Sequence, residues 1–163
     1  MSTPKNRITR SVAVNSLFAS ALKVISAAVS FNQGDLLVFD DTANLLKVPT
    51  AEAEGATFLG IAPVTVVSGK LKYPYTTDVD ASSAIADVPG PVFGVVAKML
   101  LKVGDVFAPG DAVYLSPADG AQVVSSAGTK SIGVFVGAGV TAVAGSEGEV
   151  RIGCRHPGDT LKI

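Results

Sequence analysis

A glycine-aspartate pair recurs along this chain, twice just behind a phenylalanine anchor and just ahead of strand-forming residues. Phe31 leads to Gly34-Asp35 and then Leu36-Leu37-Val38-Phe39; Phe107 leads to Gly110-Asp111 and then Val113-Tyr114-Leu115. Glycine tolerates positive φ, and an aspartate carboxylate can accept hydrogen bonds from nearby backbone, so the pair predicts a tight turn feeding a strand. A chain so punctuated is predicted to fold as short strands joined by abrupt corners.

The two segments downstream of these pairs also match. After Phe39 a polar turn over residues 40–44 gives way to Leu45-Leu46-Lys47-Val48, and a glycine-containing spacer precedes Phe58-Leu59-Gly60-Ile61-Ala62. After Leu115 the turn Ser116-Pro117-Ala118-Asp119-Gly120 leads to Gln122-Val123-Val124 and then Ile132-Gly133-Val134-Phe135-Val136. Strand, turn and return strand is the pattern of a hairpin. Gly60 and Gly133 sit inside apolar runs, where glycine marks a bulge or a close backbone approach. Residues 31–67 and 107–153 therefore read as two copies of one hairpin module. The expected fold is all-β, a small β-barrel or β-sandwich, with Gly34, Asp35, Gly60, Gly110, Asp111 and Gly133 as structural turn positions.

The remaining segments divide accordingly. Residues 1–23 carry Lys5, Arg7 and Arg10 with no acid before Asp35, and predict an extended basic N-terminal arm. Residues 24–155 form the single β domain, and residues 156–163 a tail. Asn15, Ser16 and Ser20 interrupt the apolar run that a secretory signal needs. No stretch reaches the roughly 18 uninterrupted apolar residues of a membrane span. Within the domain, strands are expected near residues 35–40, 44–48, 57–67, 70–75 and 92–103, and a final hairpin turning at residues 145–148. Residues 49–55 read as an exposed loop and residues 76–91 as a surface excursion.

Composition sharpens the functional question. Charged residues make up only 17% of the 163 positions, the formal net charge is −1 and 48% of residues are hydrophobic. Nothing in that balance calls for nucleic acid or an acidic substrate. So few charges suit a surface packed against something else.

Candidate chemical residues are sparse. His156 is the sole histidine, which denies the chain a two-histidine metal site and leaves a Ser-His-Asp triad dependent on a Pro-Gly-flanked tail. Cys154 has no internal disulfide partner and reads as a small buried strand residue. Asp40-Asp41 and Asp78 with Asp80 lack the ligand series of a calcium loop and read as turn caps. Glu52 and Glu54 read as solubilising carboxylates. Residues 133–139 are glycine-rich but lack the Gly-Lys-Ser/Thr of a phosphate loop. Tyr73, Tyr75 and Phe93, without a basic stripe, read as core or contact residues. No catalytic residue, metal ligand or cofactor is expected.

These residues carry two resemblances. Lys102-Val103-Gly104-Asp105-Val106 with Pro109-Gly110-Asp111-Ala112-Val113 resembles the turn pair of biotinyl and lipoyl carrier domains, and Ala97-Lys98-Met99 their modified-lysine peptide, although Lys98 precedes the turns where that family's lysine follows them. Over most of residues 31–153, the repeated Gly-Asp openings, the Leu59-Gly60-Ile61-Ala62 and Ile132-Gly133-Val134 returns, Pro91-Val92-Phe93-Gly94-Val95 and the closing Gly148-Glu149-Val150-Arg151-Ile152 resemble the small β-rich capsid decoration, or cement, proteins of tailed phages. That resemblance implies a non-enzymatic virion protein on the outer capsid surface, commonly a homotrimer. Its partners would be the major capsid protein and further copies of itself, with no nucleic acid or membrane. Lys5, Arg7 and Arg10 are then expected to contact acidic capsid surface or a neighbouring subunit. A receptor- or ligand-binding module of a virion is the alternative, with the carrier domain behind it.

Overall fold

The glycine-containing turns decide where the strands begin, and four of them share one plan. The structure, a computed structural model, describes residues 7–11, 29–43, 45–62, 65–72, 95–117 and 123–152. In residues 32–35, 102–105, 108–111 and 143–146 the fourth amide donates to the first carbonyl: Asp35 to Asn32 at 3.0 Å, Asp105 to Lys102 at 3.2 Å, Asp111 to Ala108 at 3.0 Å and Ser146 to Val143 at 2.9 Å. The third residue is Gly34, Gly104, Gly110 or Gly145, with φ of 89°, 87°, 98° and 80°. This is the type II pattern, whose third position lies where an L side chain is strained. Asp35, Asp111 and Ser146 also accept the amide of their turn's first residue, at 2.7, 2.7 and 2.9 Å. Asp105 looks elsewhere, accepting from the Ser125 hydroxyl at 2.7 Å and the Ser126 amide at 2.8 Å.

Between these corners the regular structure of the described chain is mostly strand. The elements are β1 (Arg7–Ser11), β2 (Leu36–Asp40), β3 (Leu45–Lys47), β4 (Phe58–Ile61), β5 (Thr65–Val67), β6 (Lys70–Lys72), β7 (Val95–Leu101), β8 (Val106–Phe107), β9 (Ala112–Ser116), β10 (Val123–Ser125), β11 (Ser131–Phe135), β12 (Val140–Thr141) and β13 (Glu147–Ile152). A 3-10 helix, Glu52–Thr57, precedes β4. The fold is all-β. Its centre is a closed five-stranded barrel in the order β7-β10-β9-β11-β13, with β13 pairing back onto β7.

Strand β7 carries the closure. One edge pairs antiparallel with β13, from Val96 opposite Arg151 to Leu100 opposite Glu147. The other edge has two occupants: β10 runs parallel along Leu100 and Leu101, and β1 runs antiparallel from Ser11 opposite Val95 to Arg7 opposite Lys98. Side chains alternate as a half-buried sheet requires. On β13, Gly148, Val150 and Ile152 are buried while Glu147, Glu149 and Arg151 are half-exposed.

The inward residues of all five barrel strands, Met99, Leu115, Val124, Ile132 and Val150 among them, join Phe107 and Phe135 in one apolar core. The two phenyl rings lie 5.3 Å apart, tilted by 35°. A three-stranded sheet, β3-β2-β4, adds Leu36, Val38, Phe58 and Ile61 to the same core. The next residue along, Leu37, faces the opposite way, into a second cluster with Val29, Phe31, Leu46, Ala62 and Val66. Strand β2 thus divides two cores and is buried on both faces at its start.

The two Gly-Asp segments share their local architecture. Strand β2 lies between β3 and β4, as β9 lies between β10 and β11, all antiparallel. Gly34 donates to Ala62 and Ala62 to Asp35; Gly110 donates to Phe135 and Phe135 to Asp111. The return strands are irregular beside the glycines that interrupt their apolar runs. Pairing of β2 with β4 shifts between Leu37 and Val38, beside Gly60 at φ 142°, and pairing of β9 with β11 shifts between Ser131 and Gly133.

Several expectations need correction. Residues 49–55 are not a simple loop, since the 3-10 helix starts at Glu52. The strand foreseen over residues 57–67 is two strands, β4 and β5, in different sheets, and that foreseen over residues 92–103 ends at Leu101, its first three residues lying outside the described ones. The final hairpin does not form, because both edges of β13 are taken by β11 and β7 while β12 pairs with β8. The arm foreseen over residues 1–23 is in part a strand, since Arg7–Ser11 belongs to the barrel sheet.

Candidate functional site

The most distinctive surface lies where the four-residue corners meet the short β8–β12 ribbon. Residue two of a type II turn is its outer corner, and in residues 102–105 that corner is Val103, 62% exposed. Val106 on β8 is 62% exposed and Val143, first residue of the last turn, is 64% exposed. The ribbon brings them to one end. Val106 stands opposite Thr141, Ala142 donates to Asp105 and Gly104 donates to Ala142. Ala108, Pro109 and Ala144 are exposed nearby in sequence. Three branched aliphatic side chains in water cost free energy that burial against a partner would recover, about 25 cal/mol per Å² of apolar area.

This end is braced. Phe107 and Ala142, neighbours of the exposed valines, are buried in the core. The Asp105 carboxylate is pushed up by burial, but the Ser125 hydroxyl, the Ser126 amide and Lys102 outweigh that and hold it below the ordinary aspartate value. It stays ionised and ties the ribbon to β10. Sequence reasoning missed these valines, although one signal pointed to Val103: it directly precedes a turn glycine, at the outer corner of the turn.

A second group is charged. Register places Arg7, Lys98 and Glu149 in one row across β1, β7 and β13, and Arg10, Val96 and Arg151 two rows on. Lys98 Nζ lies 3.8 Å from a Glu147 carboxylate oxygen. Lys98 is mid-strand with both backbone edges of β7 occupied. Lys5 falls outside the described residues, as do Tyr73, Tyr75, Asp78, Asp80, Phe93, Cys154 and His156.

Of the acids singled out in the sequence, Asp40, Glu52 and Glu54 serve structure. Asp40 accepts the Thr42 and Ala43 amides, both at 3.0 Å, and lies 3.4 Å from Lys47. The Ala43 amide is the main reason its carboxyl lies below the usual value. The expectation that Glu52 and Glu54 merely solubilise a loop is corrected. Glu54 accepts the Thr50 amide and, at 3.0 Å, the Ala51 amide, holding the start of the 3-10 helix, and it pairs with Lys47. Glu52 accepts the amides of Thr129 at 2.8 Å and Lys130 at 3.2 Å, spanning from the first Gly-Asp segment to the second.

Among the described residues no group of three or more His, Cys, Asp or Glu could hold a metal ion, and no helix is long and apolar enough to cross a membrane. The chain matches no protein-family model, and no curated protein is significantly similar to it.

Proposed function

We propose that this chain is a non-enzymatic capsid decoration protein that binds the outside of a tailed-phage head as a homotrimer and stabilises the shell. The observation that carries the reading is the apolar end formed by Val103, Val106 and Val143 on a closed, turn-braced barrel. A rigid body with an apolar contact surface and few charges suits a protein that acts by packing, where weak contacts repeated by symmetry add through avidity. The matching turn bonds and strand orders around Gly34-Asp35 and Gly110-Asp111 favour a duplicated hairpin module as the origin of that body. Lys5, Arg7 and Arg10 then supply a basic contact toward acidic capsid surface or a neighbouring subunit.

Light scattering on the purified chain followed by co-sedimentation with expanded heads of the parent phage tests the reading. A trimer that saturates the heads, with binding weakened by Val103→Asp or Val143→Asp, is the expected result. A monomer that stays in the supernatant at all head concentrations sinks it.

A further inference from the structure

Strand β1 is the odd member of the barrel sheet. The other five strands lie within one stretch of chain, from Val95 to Ile152, whereas Arg7–Ser11 comes from far upstream. It fills the edge of β7 that β10 leaves open, and among the described residues its ladder joins β7 alone. Without it, Val95 to Lys98 would present an unpaired strand edge, the kind of surface that accepts a strand from another chain. The next described residue after Ser11 is Val29. The stretch of residues 12–28 between them can span at most roughly 60 Å, which leaves pairing within a chain and between chains both open to it.

We propose that this edge is a strand-acceptor site and that Arg7–Ser11 of a second copy fills it in the assembled protein, so that copies exchange their first strands. Exchange reproduces every β1–β7 backbone hydrogen bond, so the ladder itself is as favourable between chains as within one. Association adds what pairing within a chain does not, the burial of apolar surface where the copies meet. The ladder is also short and interrupted, with a register shift between Ile8 and Arg10, so the strand is weakly held by pairing alone. Exchange gives the N-terminal segment a role in assembly. It rests on the oligomeric part of the reading above and not on binding to a shell.

Register supplies the test. Arg7 and Lys98 are directly opposed, where paired cysteines lie within bonding reach. In a Cys154→Ser background, Arg7→Cys on a size-tagged chain and Lys98→Cys on an untagged chain are produced together and oxidised. The expected result is a disulfide-linked pair of tagged and untagged chains on a non-reducing gel, absent when Val67→Cys replaces Lys98→Cys. A doubly substituted chain that links only to itself, with no intermolecular product in the mixed sample, overturns the proposal. So does the absence of any link in chains whose circular dichroism keeps the natural β signature. Should the cysteine variants not fold, the natural chain is compared with one lacking residues 1–11 by light scattering: loss of the oligomer is expected, and an unchanged oligomer mass overturns exchange. Loss of head binding with the intermolecular link intact removes the shell reading and leaves exchange standing.

Discussion

Gly133 and Gly104 are both turn or strand glycines, yet they are required for different reasons. A methyl group on Gly133 would run into the backbone carbonyl oxygen of Arg151 on the neighbouring strand and press on Val150 at 3.2 Å. Backbone in a closed barrel cannot step aside, so Gly133→Ala should cost about 3 kcal/mol, the upper end of the ordinary range for overpacking. A methyl on Gly104 meets nothing within 4 Å, and its φ of +87° is the sole objection. Gly104→Ala should cost about 1 kcal/mol from backbone strain. Urea denaturation of both variants separates crowding from conformation; equal losses would refute the distinction.

Strand β2 tests whether the two cores are one cooperative unit. Leu36 and Leu37 are 0% and 1% exposed but point into different clusters. Either leucine changed to alanine should lower stability by about 2–5 kcal/mol, with a single transition in each case. By contrast Val106→Ala, on the ribbon, should stay within about 0.5 kcal/mol of the natural chain. A second, separate transition in Leu37→Ala alone would show that the clusters unfold independently. Much of this layout was legible: the Gly-Asp pairs located the turns before β2 and β9, and the Val150-Arg151-Ile152 run located the end of β13. Other parts were not. Residues 49–55 read as a loop because Pro-Thr-Ala-Glu-Ala-Glu-Gly carries no apolar periodicity, and the six-residue 3-10 helix there is held by carboxylate contacts with Thr50, Ala51, Thr129 and Lys130. Those donors are backbone amides, in whose favour no residue type speaks. The final hairpin is absent because strand propensity says nothing about which edge a strand will find, and barrel closure through β7 claims β13.

The carboxylates give the whole molecule a pH response of definite sign. Glu52 lies below its ordinary value of 4.5, chiefly through the Thr129 amide. Glu54 is raised by burial but lowered further by Lys47 and the Thr50 and Ala51 amides, and Asp40 and Asp105 also lie low. A carboxyl with a lowered folded pKa stabilises above its unfolded pKa and loses that contribution as pH falls through the folded one. The thermal midpoint should therefore hold from neutral pH to about 4.5 and decline below it. Lys47, raised chiefly by Glu54, acts in the opposite window and loses its contribution only as pH rises beyond 10.5. Glu52→Gln should lower the neutral-pH midpoint and shrink the difference between pH 6 and pH 3; an unchanged acid slope would show that the tie between the two Gly-Asp segments does not matter.

Barrel closure through β7 and β13 also fixes how the molecule bears a load. These strands are antiparallel neighbours, with Val96 opposite Arg151, so the chain enters the barrel at Val95 and leaves it at Ile152 on the same side. Tension applied between those two points peels the ladder one rung at a time. Tension that pulls β7 and β13 lengthwise past each other, from the Val95 end of one and the Glu147 end of the other, loads all the rungs from Val96 to Leu100 together. The same set of hydrogen bonds is a zipper in one direction and a rivet line in the other.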